Sequence, residues 1–279
     1  MKIKFYIVTY NREDHLNKTL ESLVSTDIDE HDVEVFIVNN HSNFQMNEKF
    51  ASRVTVLHNV LRPDFSTGHL SRNYNEILMH GFRDLNNPDC NILMHSHDDN
   101  FFHPELFKKM IEEHNKYNFI TFSWGCGFCS YLSDAVKKIG MWDERFCTIG
   151  YHEGDYFLRA LKYNEKHTSI NDWEAARRLH NPINEVLCHK QPESVGHNDA
   201  HKNSWKHYSI CRRLWEKKWP NWKNDHGKVS DTSWHNRNAE QVPRPSIPMY
   251  MLYPYFEKNI EDIPEKYYDD IDTHGNAFF

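Results

Sequence analysis

Three short apolar runs, spaced by polar segments, constrain the fold of this chain most. Residues 3–9, 33–39 and 54–60 have the length and the β-branched content of buried strands. Residues 14–23, between the first two runs, favour a helix, so the chain begins with a βαβ unit. Strands that alternate with helices predict an α/β fold with a mostly parallel, Rossmann-like central sheet flanked by helices.

The same alternation continues with a helix predicted at 68–80 and a strand at 91–95, and it then changes. Further on we predict a strand at 120–124, a short helix at 133–139 that ends at Gly140, and a helix at about 202–218. A chain of 279 residues suits one large domain. We divide it at residues 115 and 220, and expect 221–279 to be an irregular tail that packs aromatic side chains onto the body.

Bulk composition excludes several classes of function. The net charge of −7 argues against a general binder of nucleic acid or of membrane surfaces. No run reaches the ~18 apolar residues of a membrane span, and the N-terminal run is too short for a signal peptide, which predicts a soluble cytoplasmic protein. The six cysteines lack the paired spacing of a disulfide framework, so we expect reduced, buried thiols.

The segment CNILMHSHDDNFFHPEL, at residues 90–106, is an apolar run that stops at two adjacent carboxylates, Asp98 and Asp99. In parallel α/β sheets, ligands bind outside the carboxyl ends of the strands. Carboxylates there hold Mg²⁺ or Mn²⁺ while substrate phosphates complete the coordination shell. The alternative is that the pair only precedes a helix that begins near Pro104. We interpret the pair as a cation site beside a diphosphate.

Four segments, in this order, resemble the inverting GT-A-fold nucleotide-sugar glycosyltransferases of family 2. They are VTYNR at 8–12, IVNNHS at 37–42, SHDDN at 96–100, and IGMWDERFCTIGYHEGDYFLRA at 139–160. The resemblance spans roughly residues 3–220 and ends in LWEKKW at 214–219. A narrower resemblance is to chlorovirus-like enzymes that build capsid glycans of large DNA viruses. The family implies that 1–115 binds the nucleotide-sugar and 116–220 the acceptor.

The resemblance also assigns residues to the donor. The turn after the first strand and the loop after the second are implied to hold the nucleoside, through Thr9, Asn11, Arg12, Asn39 and Asn40. The family usually has an aspartate where the two asparagines stand, and an amide both donates and accepts, so the base stays open. Capping of the first helix is the alternative reading of residues 11–14.

Two further positions, Arg72 and Asn75, fall where the family carries a polar helix start near the diphosphate. The planar fork of an arginine suits phosphate oxygens, although an exposed helix arginine is the commoner case. At the metal, the resemblance implies Asp99 as ligand and Asp98 as a contact to the ribose or the sugar, with exchangeable roles. His189, in an H-x-x-x-x-S pattern, is the implied second ligand in preference to His197 and His201, and Mn²⁺ (or Mg²⁺) is the cofactor.

The last segment is implied to supply the general base, a carboxylate that deprotonates the acceptor hydroxyl. Glu153-Gly154-Asp155 replaces the family's adjacent acidic pair, so Asp155 is the first choice and Glu153 the second. A favourable charge at a helix N-terminus is the alternative role of Asp155.

The acceptor-side loop is implied to consist of Trp142, Asp143 and Glu144. Trp142 and Trp124 are expected either to stack on sugar faces or to belong to the core.

These assignments predict transfer of a sugar from a nucleotide diphosphate-sugar to a hydroxyl of a glycan or glycoprotein acceptor. The expected donor is UDP-linked, with xylose or glucose as the sugar. One alternative is a sugar nucleotidyltransferase, although the first strand is not followed by the glycine-rich phosphate loop that such an enzyme needs. The other is a zinc- or carbohydrate-binding module, for which the histidine-rich residues 188–207 and the scattered tryptophans argue.

Overall fold

The fold is taken from a computed structural model. It describes residues 1–41, 43–59, 70–121, 125–144, 146, 151–170, 187–191, 211–213, 215–216 and 219. Trp124, the predicted tail at 221–279 and the start of the helix predicted at 68 lie outside these residues, as do His197 and His201. Of the helix predicted at 202–218, residues 211–213 and 215–216 are described and are helical.

The first half of the chain alternates strands and helices as predicted. Its elements are β1 (Lys2–Thr9), α1 (Glu13–Val24), β2 (Asp32–Asn39), α2 (Glu48–Ala51), β3 (Val54–His58), α3 (Leu70–Phe82) and β4 (Ile92–His97). The remaining elements are β5 (Asn100–Phe102), α4 (Leu106–His114), β6 (Phe119–Thr121), β7 (Phe128–Tyr131), α5 (Ser133–Ile139), α6 (Tyr151–Tyr163), β8 (Thr168–Ile170) and β9 (Cys188–Lys190). Most predicted boundaries differ from these by one or two residues.

The central sheet has seven strands in the order β3-β2-β1-β4-β7-β6-β8. The first four strands of this order run parallel, β7 is antiparallel to both of its neighbours, and β8 runs parallel to β6. The prediction of a mostly parallel α/β sheet is confirmed. A separate antiparallel ribbon, which the sequence did not predict, pairs β5 with β9.

Burial explains why β1 is a nearly continuous apolar run. Seven of its eight residues are buried, as expected for a parallel strand that is covered on both faces. Its partner helix α1 buries Leu16, Leu20 and Leu23, which the helical repeat places on one face. The same core includes Phe5, whose ring lies 5.4 Å from that of Phe102 in an edge-to-face arrangement.

Two compact units divide the chain. The first comprises Met1–Val60, Ile77–Asp134 and His167–His197, and it contains both sheets. The second comprises Leu61–Glu76, Ala135–Lys166 and Asn198–Phe279, and it contains helix α6. The units interleave along the chain, whereas the predicted ligand-binding halves meet at residue 115, so those halves stay predictions.

The five described cysteines are buried and free, which agrees with the predicted reduced thiols. None of the helices in the described ranges combines the length and the apolar content that crossing a membrane requires.

Candidate functional site

Three parallel strands deliver polar side chains to one edge of the first unit. Thr9 at the end of β1 pairs with Asn39 at the end of β2, and Val8 pairs with His97 at the end of β4. The turn of Asp98 and Asp99 follows His97 directly. Since the carboxyl ends of these strands lie side by side, the predicted nucleoside and metal segments meet at the edge where α/β proteins bind ligands.

Asp98 is buried and held on both its side chain and its backbone. Its Oδ2 accepts a hydrogen bond from Thr9 Oγ1 at 2.7 Å, and its carbonyl accepts one from Thr19 Oγ1 at 2.7 Å. Burial, followed by repulsion from Asp99, raises the pKa of Asp98, while the Thr9 hydroxyl and Arg12 oppose that rise. The ionised form of Asp98 is therefore disfavoured in this structure.

Asp99 has the opposite electrostatic character, because a lysine lies against it. Asp99 Oδ1 pairs with Lys190 Nζ, which also lies 3.3 Å from His97 Nδ1. Burial alone would raise the pKa of Asp99, but the Lys190 ammonium and then His97 outweigh burial and lower it. The pair thus consists of one firmly ionised carboxylate and one that is easily protonated.

The ribbon strand β9 locks this turn in place. Gln191 follows β9, and its backbone N–H donates to the Asp99 carbonyl at 2.7 Å. The Gln191 side chain donates to Thr19 Oγ1 at 2.9 Å, and Thr19 of α1 in turn donates to the Asp98 carbonyl. Hydrogen bonds from α1 and from the residue after β9 therefore hold the turn. Within the ribbon, Lys190 pairs with Asn100. Lys190 and Gln191 were not predicted from the sequence, because a three-residue strand has no recognisable pattern of its own.

His189 was predicted to bind the metal, but the structure places it beside Phe101 in the ribbon. The two residues are paired in register, and their rings lie 5.5 Å apart. Among the described residues, Lys190 and not His189 contacts Asp99. Burial lowers the pKa of His189 and keeps its ring neutral near pH 7. The structure therefore gives no direct support to His189 as a ligand, and its metal role stays a prediction.

The side-chain amides of Asn39 and Asn40 differ in how fully they are hydrogen-bonded. The Asn39 amide is used by the loop itself: its Oδ1 accepts from the His41 backbone at 3.0 Å and its Nδ2 donates to the His41 carbonyl at 2.8 Å. Asn40 donates through Nδ2 to the Thr9 carbonyl at 3.3 Å. Its Oδ1 is buried and accepts no hydrogen bond from any residue that the structure describes. Asn40 thus differs from Asn39 in having a buried acceptor atom that no described residue satisfies.

The turn between β1 and α1 is shaped by Asn11 and Arg12. Asn11 is exposed and has a φ of 48°, in the left-handed region that asparagine tolerates better than most residues. Arg12 is the N-cap of α1, so residues 11–14 do form the start of the helix, but no side chain makes a capping hydrogen bond there. The Arg12 guanidinium contacts His15 and lowers the pKa of Asp98, which places it among the cations of this edge.

The other predicted site residues belong to the second unit, where Arg72 and Asn75 lie on α3. Arg72 is buried, with its Nε 3.9 Å from a carboxylate oxygen of Glu76 one turn later. The Asn75 amide exchanges two hydrogen bonds with the Trp142 backbone, at 2.8 and 2.9 Å, and donates to Glu144 Oε1 at 2.7 Å. Asn75 therefore holds the predicted acceptor loop, which is a different role from the predicted donor contact.

Trp142 is a core residue, and not an open stacking surface. Its side chain has no solvent exposure, and its ring stacks on Tyr156 with centroids 4.1 Å apart and planes 7° from parallel. The alternative that this tryptophan belongs to the core is therefore the one that the structure supports. Asp143 and Glu144, which follow it, are also buried.

The two candidate bases on α6 have different surroundings. Asp155 Oδ2 accepts from Arg159 Nε at 3.0 Å and lies 2.9 Å from Arg159 Nη2, while Oδ1 accepts from the Trp219 indole at 3.0 Å. Asp155 and Arg159 are both fully buried. Glu153, two residues earlier, retains 7% exposure. Both oxygens of the Asp155 carboxylate thus accept hydrogen bonds within the unit, and Glu153 is the more exposed of the two acids.

Comparison with known proteins agrees with these features. The profile described as glycosyl transferase family 2 matches residues 5–160, which is more than half of the chain. The chain belongs to this family, and the predicted family is confirmed. No curated protein matches the sequence.

Solved structures of similar fold include S. aureus TarS, at 15% identity and a TM-score of 0.50, with 81% of this chain and 41% of TarS covered. They also include TarS 1–349 in complex with UDP-GlcNAc, at 14% identity and a TM-score of 0.53, covering 81% of this chain and 68% of that one. This chain thus spans less than half the length of the first of these TarS chains. At such identities the likeness shows the fold alone.

Proposed function

We propose that this protein is an inverting glycosyltransferase that uses a nucleotide diphosphate-sugar. The observation that carries the proposal is the meeting of Asn40, Asp98 and Asp99 at the carboxyl ends of β1, β2 and β4, with Arg12 and Lys190 close by. A buried acceptor, two acids and two cations suit a ligand with a hydrogen-bonding base and an anionic diphosphate.

The Asn40 amide supports a donor whose base or ribose offers a hydrogen to it. Its Oδ1 is a buried acceptor, and an unsatisfied buried acceptor costs about 1–3 kcal/mol. The N3–H of uracil or a ribose hydroxyl would satisfy it. UDP, with xylose or glucose as the sugar, remains the donor that we expect from the family resemblance.

The acidic pair fits a divalent cation. Its carboxylates are the hard oxygen donors that Mg²⁺ and Mn²⁺ prefer, and their mutual repulsion, which contributes to the raised pKa of Asp98, is what a cation would relieve. Asp99 is the proposed direct ligand, with Asp98 beside it. When bound, the metal offsets negative charge on the leaving diphosphate.

For the base we propose Glu153, with Asp155 as a positioning residue. In an inverting transfer, a carboxylate takes the proton of the acceptor hydroxyl as its oxygen attacks the anomeric carbon. Both oxygens of Asp155 already accept hydrogen bonds and its side chain is fully buried, whereas Glu153 retains 7% exposure. Asp155 fixes α6 through Arg159, whose Nη1 also donates to the Ile139 carbonyl at 2.7 Å.

The acceptor is proposed to be a hydroxyl of a glycan or glycoprotein, and the capsid-glycan role stays a prediction from the resemblance. The test is a panel of UDP-xylose, UDP-glucose, UDP-GlcNAc and GDP-mannose, scored by Mn²⁺-dependent hydrolysis and by thermal stabilisation. We expect UDP-linked donors to give the largest responses and Asn40→Leu to abolish the preference. Equal responses to all donors, or no response to any, would contradict the proposed donor site.

A further inference from the structure

Lys190 contacts Asp99, the carboxylate that is proposed to bind the divalent cation. Its ammonium pairs with Asp99 Oδ1 and lies 3.3 Å from His97 Nδ1, and only 12% of the side chain is exposed. The backbone that carries it is fixed, since Lys190 pairs with Asn100 in the ribbon and the next residue bonds the Asp99 carbonyl at 2.7 Å. A tethered positive charge therefore already sits on the carboxylate that is proposed to bind the metal.

Both cations are drawn to the same carboxylate, and they repel each other. A metal that approached Asp99 would have to share its oxygens with the ammonium or displace it, because like charges a few ångströms apart in a buried site repel strongly. The four-carbon side chain of lysine is flexible, so the ammonium can move away from Asp99 while the backbone of β9 stays in place. An incoming diphosphate supplies the additional negative charge that lets both cations remain.

Resting on the proposed function, we propose that Lys190 is a built-in competitor of the divalent cation: it neutralises Asp99 in the empty site and passes to a diphosphate oxygen when the metal takes Asp99. Metal and nucleotide then bind cooperatively. By thermodynamic linkage, the factor by which the nucleotide tightens metal binding equals the factor by which the metal tightens nucleotide binding.

The experiment is a Mn²⁺ titration of the full chain followed by the electron paramagnetic resonance signal of free Mn²⁺, with and without UDP. Without UDP, Lys190→Met should bind Mn²⁺ at least tenfold more tightly than the wild type, and Lys190→Arg, which keeps the charge, should stay within threefold of it. With UDP, the wild type should gain at least tenfold in Mn²⁺ affinity, whereas Lys190→Met should gain much less.

Lys108→Met is the matched control, because Lys108 lies in the same unit but pairs with Glu105 at an exposed position. It removes one positive charge without touching the acidic pair, and it should leave Mn²⁺ binding unchanged. Lys190→Gln provides a second neutral variant, and the thermal unfolding of each variant checks that it is folded.

The outcomes separate this inference from the proposed function. Equal Mn²⁺ affinities of wild type and both neutral variants without UDP would overturn the competition, even if UDP-sugars are turned over normally. An equal gain in affinity for Lys108→Met would overturn it too, as a general charge effect. Absence of Mn²⁺ binding to every variant, with and without UDP, would also refute it. Failure of the wild type to respond to any nucleotide-sugar would count against the proposed function itself.

Discussion

Exchanging the two acids of α6 for amides, one at a time, should separate a structural role from a chemical one. Asp155→Asn removes the charge that faces Arg159, which is fully buried and whose Nε and Nη2 lie 3.0 and 2.9 Å from it. Removing one partner of a buried ion pair typically costs about 3–5 kcal/mol, because the other charge stays behind without compensation. The asparagine oxygen can still accept from the Trp219 indole, which puts our expectation near the lower end of that range.

Glu153→Gln should behave in the opposite way. Glu153 keeps some exposure, and the exchange preserves its volume, so we expect a stability change within about 1 kcal/mol. Loss of a general base should instead lower kcat by about 10²–10⁴-fold. Urea unfolding followed by tryptophan fluorescence measures the first effect, and turnover of the best donor from the panel measures the second.

Trp219, which donates to Asp155, offers a control for a purely structural effect. Trp219→Phe removes the indole hydrogen bond to the Asp155 carboxylate and part of a buried ring, so it should cost about 2–4 kcal/mol while kcat stays nearly unchanged. The assignment of a structural role to Asp155 would be refuted by two results together. Asp155→Asn would unfold at the same urea concentration as the wild type but lose activity 100-fold, and Glu153→Gln would remain active. That pattern would return the base to Asp155.

Three further predictions concern the first unit. Thr9→Val removes the hydroxyl that donates to Asp98 at 2.7 Å; the pKa of Asp98 should rise further, and urea unfolding should show a loss of about 1–3 kcal/mol at pH 8. Asn40→Asp, which restores the acid usual in the family, should change UDP affinity measured by calorimetry while GDP binding stays weak; equal affinities for UDP and GDP would contradict the role of Asn40. Burial lowers the pKa of His114 to about 4, so protonation disfavours the folded state. Stability should be complete above pH 6.5 and fall by about 2 kcal/mol by pH 5, and an equally steep fall in His114→Gln would refute this.

The sequence predicted the parts of the fold that depend on local pattern. The buried run of β1 and the leucine spacing of α1 are visible in any short window, and the helix at 133–139 was located to the residue. The acidic turn was also recognisable, because two carboxylates interrupt an apolar strand. These features need no knowledge of distant residues.

What the sequence could not predict depends on partners far along the chain. The ribbon joins β5 to β9 across almost ninety residues, and each of its strands has only three residues. The proposal of Glu153 in place of Asp155 depends on distant partners in the same way: Arg159 and the Trp219 indole donate to the Asp155 carboxylate, and Trp219 lies 64 positions away. For Trp142 the sequence left core and ligand contact open, and its complete burial and its stacking on Tyr156 decide for the core.

The late arrival of β9 has a consequence for biosynthesis. A nascent chain released from the ribosome up to residue 170 already contains every strand of the large sheet, but it still lacks Lys190 and Gln191. In that interval the two aspartates stand together without the nearby ammonium and without the amide that clamps their turn. Completion of the acidic edge therefore depends on residues that are synthesised after every described strand of the large sheet, and a product that ended at residue 170 would lack both the Lys190 ammonium and the Gln191 amide.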